Sequence, residues 1–90
     1  MDSYLISFQL NNQKDYNKVS DCIRECSKWA RVMDNVWIIK SDRKLTDIRD
    51  NISSLIKNSG GSVLVVRISN DAWGTYSVST EVTDWMKNNI

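Results

Sequence analysis

From Tyr4 to Leu10, apolar and polar positions alternate, with Tyr4, Ile6, Phe8 and Leu10 on one side and Leu5, Ser7 and Gln9 on the other. That is the period of a β-strand. Two further runs, Val36 to Ile39 and Val63 to Ile68, have the Val and Ile content of strands that pair on either side of it. Between them the period changes. Tyr16, Val19, Ile23, Cys26 and Ala30 recur at spacings of three and four, which predicts an amphipathic helix capped by Asp15 and running to about Trp29. Its other face, Lys18, Asp21, Arg24, Glu25 and Lys28, is a mixed-sign solvated surface. Ala30 to Met33 reads as a second strand, Asp34 and Asn35 as a tight turn, and Val36 to Lys40 as the returning third strand. Leu45, Ile48, Ile52, Leu55 and Ile56 mark a second helix, with Thr46 as its cap, Asp47 and Asp50 near its positive end, and Gly60 and Gly61 beyond its close. After the fourth strand, Val63 to Ile68, comes a loop from Asn70 to Ser79 that holds Trp73, Gly74 and Tyr76. Thr80 onward, with Val82, Trp85 and Met86 on one side, reads as a short terminal helix.

Strand, helix, hairpin, helix, strand is the order of an α+β fold of the ferredoxin-like, split βαβ kind. Right-handed crossovers put both helices on one face of a four-stranded antiparallel sheet, with the first and third strands at its centre. Tyr4, Ile6 and Phe8 then face the helices, and Leu5, Ser7 and Gln9 face the bare side. The third strand is apolar on both sides, Val36 and Ile38 against Trp37 and Ile39, so its second face also needs cover. Only a C-terminal extension or another subunit can supply it. The expectation is a two-fold homodimer whose interface uses Leu5, Ser7, Gln9, Val36, Ile38 and Trp73.

Ninety residues, 41% of them hydrophobic and four of them Trp, suffice for a single domain spanning residues 1–90 and are too few for two. No apolar run approaches the roughly 20 residues of a membrane span, and Met1 to Leu10 lacks the features of a secretory signal. A cytoplasmic protein is expected. Twelve Lys and Arg stand against eleven Asp and Glu, so no strong net charge draws a polyanion. Cys22 and Cys26 are one helical turn apart, with Cβ atoms about 5 to 6 Å from each other, whereas a disulfide wants about 3.8 Å. They are expected to be reduced and packed in or beside the core. The chain has no histidine, hence no His-based triad, and it has no glycine-rich phosphate loop.

The stretch Tyr4-Leu5-Ile6-Ser7-Phe8-Gln9-Leu10-Asn11, then Lys14-Asp15-Tyr16, Val36-Trp37-Ile38-Ile39 and Asp47-Ile48-Arg49-Asp50, resembles the small SinR-like proteins. These are similar to the CRISPR-associated spacer-acquisition endoribonuclease family and to the toxin VapD. The resemblance covers most of the chain through short motifs. It implies a ferredoxin-like homodimer joined through the open sheet face. In the nuclease members it also implies a carboxylate from each subunit at the end of the first strand, holding a divalent metal near a phosphodiester. The matching position here is Gln9, an amide that brings no charge to a Mg²⁺ site. Asp15 and Asp34 are nearby carboxylates, each with a structural role as cap or turn residue.

Two classes of function follow. One is a non-catalytic homodimeric binding or scaffold module without cofactor, whose partner is a protein of a defence or toxin system or a nucleic acid. Phosphate contact would fall to Arg31, Lys40, Arg43, Lys44 and Arg67. The other is a Mg²⁺- or Mn²⁺-dependent endonuclease that uses a different carboxylate.

Overall fold

The computed structural model describes residues 1–90 as seven elements: β1 (Asp2–Gln9), α1 (Gln13–Arg24), β2 (Lys28–Met33), β3 (Val36–Ser41), α2 (Leu45–Ile56), β4 (Ser62–Ile68) and α3 (Thr80–Asn89). The four strands form one antiparallel sheet in the order β2-β3-β1-β4. The fold is α+β, and β1 and β3 hold the centre as the alternation of Tyr4 to Leu10 predicts. Tyr4 lies opposite Ile39 and Arg67, and Ile6 opposite Trp37 and Val65. Residues opposed across a sheet share a face, so these define the face covered by α1 and α2. There Tyr4, Ile6, Phe8, Trp37, Ile39 and Val65 pack with Val19 and Ile23 of α1 and with Ile48, Ile52 and Ile56 of α2 in one core. Trp37 is wholly buried, and its indole N–H donates to the Asp34 carbonyl at 3.2 Å. The Tyr16 hydroxyl donates to the same carbonyl at 2.9 Å, which pins the hairpin turn to α1.

Three helix boundaries differ from those read in the sequence. α1 stops at Arg24, not Trp29: Glu25 N–H donates to the Cys22 carbonyl at 3.3 Å and Cys26 N–H to the Ile23 carbonyl at 3.0 Å, a tightened last turn. Lys28 and Trp29 then enter β2, opposite Lys40 and Ile39. Pairing with β3 overrides a helical period that no glycine or proline interrupts. Arg24 folds back so that its guanidinium lies 5.2 Å from the Trp37 ring and 5.7 Å from the Trp29 ring, a cation-π contact with two indoles. The N-cap of α1 is Asn12, not Asp15. Asn12 Oδ1 accepts from the Asp15 backbone N–H at 2.8 Å, and Asp15 lies buried inside the first turn. Lys44, not Thr46, occupies the cap position of α2, with no side-chain cap bond. α2 itself ends at Ile56, ahead of Gly60, which takes φ +76°. At Gly61 the neighbours come close: a Cβ there would lie 3.0 Å from Leu10 Cδ2 and 3.1 Å from the Gln9 carbonyl oxygen, so a larger residue needs them to give by a few tenths of an ångström.

The second face of the sheet carries Ser3, Leu5, Ser7 and Gln9 of β1, Val36, Ile38 and Lys40 of β3, Lys28 and Ala30 of β2, and Ser62, Leu64, Val66 and Ile68 of β4. α3 lies on the β2 side of it. The Ser3 hydroxyl donates to the Asn89 carbonyl at 3.5 Å, a cleft between β2 and α3 is lined by Trp29, Ala30, Val82 and Trp85, and Met86, Ala30 and Ile38 are all buried within the single chain. Ile38 is only 2% exposed, which removes it from any interface with a second copy. The chain's own tail covers this half of the sheet.

Met86 is the buried residue of α3. Met86→Ala is expected to destabilise the fold by roughly 2 to 5 kcal/mol, the usual cost of deleting a buried Met side chain. Urea unfolding measures it; a change near zero would mean that α3 rests on the sheet without packing into it.

Candidate functional site

Three places have a claim to function: the uncovered half of the second sheet face, the end of β1 at Gln9, and the pole where β3 hands over to α2.

The uncovered half belongs to β1 and β4. β4 pairs only with β1, so its other edge is free. Leu64 is 58% and Val66 41% exposed on this face, while Leu5, opposite Val66, is half-buried, as is Ser7, opposite Leu64. Val36 is also half-buried, next to exposed Met33 at the hairpin end. Of the interface residues expected from the sequence, Leu5, Ser7, Gln9 and Val36 lie on this face, Ile38 lies under α3, and Trp73 is a half-buried loop residue whose indole N–H donates to Asn70 Oδ1 at 3.0 Å in its own loop. Leu64 and Val66, the two most solvent-exposed aliphatic residues of the strip, were not singled out. The alternation of β4 gave the signal: both of its faces are apolar, and a helix layer can cover only one.

Gln9 is exposed and lies opposite Ser62, beside a shallow depression of about 220 Å³ lined by Ser7, Phe8, Ser62, Val63 and Leu64. No carboxylate lines it. Asp15 is only 3% exposed and held in the α1 cap, where its Oδ2 takes a contact from Asn12 Nδ2 at 3.4 Å. Asp34 serves the hairpin through its carbonyl and borders a separate hollow with Gln13, Tyr16, Arg31 and Asn35. No group of three or more His, Cys, Asp or Glu side chains converges anywhere in the chain. Every buried side-chain nitrogen and oxygen has a partner, so the interior presents no orphaned polar atom to a ligand.

The basic residues divide. Lys40 lies on the second face, directly opposite Lys28, a like-charged cross-strand pair that disfavours the local sheet slightly and adds Lys28 to the cations read from the sequence. Arg67 lies opposite Tyr4 on the helix-covered face. Lys44 is exposed at the α2 N-terminus, where a cation opposes the helix dipole. Arg31 sits farther along β2, beside Asp34 and Asn35. Arg43 is tied down: its Nη2 donates to the Asp47 carbonyl at 3.5 Å. With the Asn51 amide turned to present its oxygen, that oxygen accepts from both terminal nitrogens of Arg43.

Arg43 borders a cleft of about 260 Å³ with Cys22, Glu25, Cys26, Lys40 and Asn51. Both cysteines are free and half-buried, and both pack against the core, as their spacing predicts. Burial raises both thiols above their ordinary pKa. For Cys22 the Glu25 carboxylate and the Cys26 sulfur push further in the same direction and Arg43 opposes them. For Cys26, Arg43 opposes the shift and Glu25 adds to it. The sequence matches no family model and no curated protein. No helix is long and apolar enough to cross a membrane.

The thiols make stability depend on pH. A folded-state pKa above the unfolded value means the folded protein holds protons that the unfolded chain releases, so this contribution is complete below the unfolded thiol pKa, about 8.5, and is lost as pH climbs through the folded values. The urea midpoint is therefore expected to hold steady up to about pH 8 and to fall toward pH 9.5. A Cys22→Ala, Cys26→Ala double variant should show a shallower fall over the same window. Identical slopes in the two proteins would mean that burial does not perturb the thiols.

Proposed function

We propose that the chain is a small, cytoplasmic, non-catalytic binding or scaffold module of ferredoxin-like fold, and that its working form is a two-fold homodimer. One observation carries the proposal: an edge strand, β4, that sets exposed Leu64 and Val66 beside half-buried Leu5 on the half of the sheet its own tail leaves bare. An unpaired edge with an apolar side is a template for another strand. A second β4 is a suitable complement. Antiparallel pairing of two copies about Val65 sets Leu64 of each opposite Val66 of the other, the isologous arrangement a two-fold axis requires. The strand order β2-β3-β1-β4, with α1 and α2 on one face, supports the ferredoxin-like assignment.

The resemblance to SinR-like proteins, which implies a homodimer joined through the open sheet face, supports the two-fold state though not the edge pairing itself, and Gln9 at the end of β1 supports a module without metal or other cofactor. The partner of the dimer is a protein of a defence or toxin system, with nucleic acid as a secondary contact through Lys40, Lys44 and Arg67. Those cations lie on two faces of the sheet and in a loop, so phosphate contact through them is expected to be weak and strongly salt-dependent.

Sedimentation at micromolar concentration is expected to give a dimer, and Leu64→Glu with Val66→Glu a monomer with an unchanged far-ultraviolet spectrum. A monomeric wild type overturns the assembly. Incubation with RNA and with DNA in Mg²⁺ or Mn²⁺ is expected to leave both intact; cleavage that stops on chelation and in Asp34→Asn would put the endonuclease reading in its place.

A further inference from the structure

Cys22 and Cys26 are the two groups in this chain whose chemistry neither the fold nor the proposed dimer uses. Both open into one cleft, and with Arg43 and Asn51 they also line a narrow cavity floored by Ile6, Ile23, Ile39, Ile48 and Ile52. The residue before Cys26, Glu25, keeps helical dihedral angles of −68° and −19°, so Cys26 follows Cys22 by about one turn. Cβ atoms one turn apart are about 5 to 6 Å from each other. That is too wide for a disulfide, which brings them to about 3.8 Å. A single ion between the sulfurs adds two metal–sulfur bonds, each about 2.3 Å when thiolate binds zinc, and so tolerates a wider separation than a disulfide; Cys26 already lies past the end of α1 at Arg24, so the helix stays wound.

We propose that Cys22 and Cys26 form a two-coordinate site for a soft monovalent d¹⁰ ion, Cu(I) in chemical class, with Arg43 as its counter-charge. Softness follows from the ligands, since paired thiolates select Cu(I) over hard cations. Glu25 borders the same cleft, but no group of three or more Cys, His, Asp or Glu side chains is placed to hold a metal ion; the two sulfurs are therefore the ligands, and a tetrahedral zinc site lacks its full set. The single charge follows from the balance of the cleft: Glu25 and Lys40 border it with opposite signs and Asp42 pairs with the Met1 ammonium group at 3.4 Å, which leaves Arg43 as the net cation. Two thiols and Cu(I) give a bis-thiolate complex of charge −1 and release two protons, so charge and atoms balance. The Arg43 guanidinium, held by the Asp47 carbonyl and by Asn51, is the positioning group that offsets the remaining negative charge. A divalent ion on the same two thiolates is neutral and has no use for it. The isoleucine floor is apolar, which strengthens the attraction. This site lies on the α1 and α2 side of the sheet, away from β4, and stands or falls independently of the dimer.

The test is anaerobic titration of the reduced, full-length protein with Cu(I) against bicinchoninate, followed by mass spectrometry. One ion per chain is expected, with both cysteines protected from iodoacetamide. Affinity should rise about a hundredfold per pH unit below the thiol titration, as the loss of two protons requires. Cys22→Ala and Cys26→Ala should each abolish the competition, and Arg43→Met should weaken it about tenfold, the usual scale for a group that supports metal ligands from outside the coordination sphere. The iodoacetamide experiment uses wild-type protein, so it keeps its meaning if a variant fails to fold. Failure of Cu(I) to protect the thiols, one ion shared between two chains, or an Arg43→Met curve that overlays the wild type would each overturn the site.

Discussion

A third strand that is apolar on both sides sets the terms for everything else in this molecule. Trp37 and Ile39 need one layer of cover and Ile38 another, and a 90-residue chain has only three helices to supply them. Two, α1 and α2, go to the first face, where six sheet residues meet five helix residues in one core. The third, α3, packs against β2 and takes the Ser3 hydroxyl on its Asn89 carbonyl, with Met86 of the helix and Ala30 and Ile38 of the sheet all buried. It is ten residues long, about 15 Å at the rise of an α-helix. Strands lie about 4.8 Å apart, and α3 leaves exposed aliphatic side chains on β4 at the far edge.

The location of the apolar surface is therefore a consequence of helix supply. The centre of the second face is sealed from within, and what remains lies at its β4 edge, where exposed side chains and unpaired backbone coincide. An assembly that uses both gains main-chain hydrogen bonds along with apolar burial, and the alternation of β4 gives the pairing its register. The same division explains why Trp73 is not part of the strip: its indole is already engaged by Asn70 within its own loop.

Much of this was legible in the sequence. The period of two in Tyr4 to Leu10 gave the central strand with its faces assigned to the right residues, and Val82, Trp85 and Met86 gave a terminal helix with its buried side. Where reading failed, a long-range contact had displaced a local preference. Arg24 to Trp29 continues a helical pattern, yet Lys28 and Trp29 bond to β3 across the sheet, and no residue type in the segment announces the change. Asn12 and Asp15 are both competent caps three positions apart, and only the backbone path decides that the earlier one accepts from the later. Ile38 was correctly placed on the second face. That face had two candidate covers, tail or partner, and periodicity cannot say how far a tail reaches.

The two ends of the sheet differ in how their polar groups are used, and this bears on what the molecule can recognise. At the hairpin end one carbonyl, that of Asp34, accepts from both Tyr16 and Trp37, and Asn12 and Asp15 satisfy each other; these groups hold structure and have little left for a ligand. At the other end Arg43 is fixed beside two thiols while Lys28 and Lys40 share one face and Arg67 lies on the opposite one. A phosphate backbone needs cations presented together along its track. Cations split across two sides of a sheet cannot follow one strand, whereas a fixed guanidinium beside two half-buried sulfurs suits a small, compact charge. The charge pattern thus favours a point ligand at this end, and the apolar edge of β4 is left as the surface with the extent to hold a macromolecule.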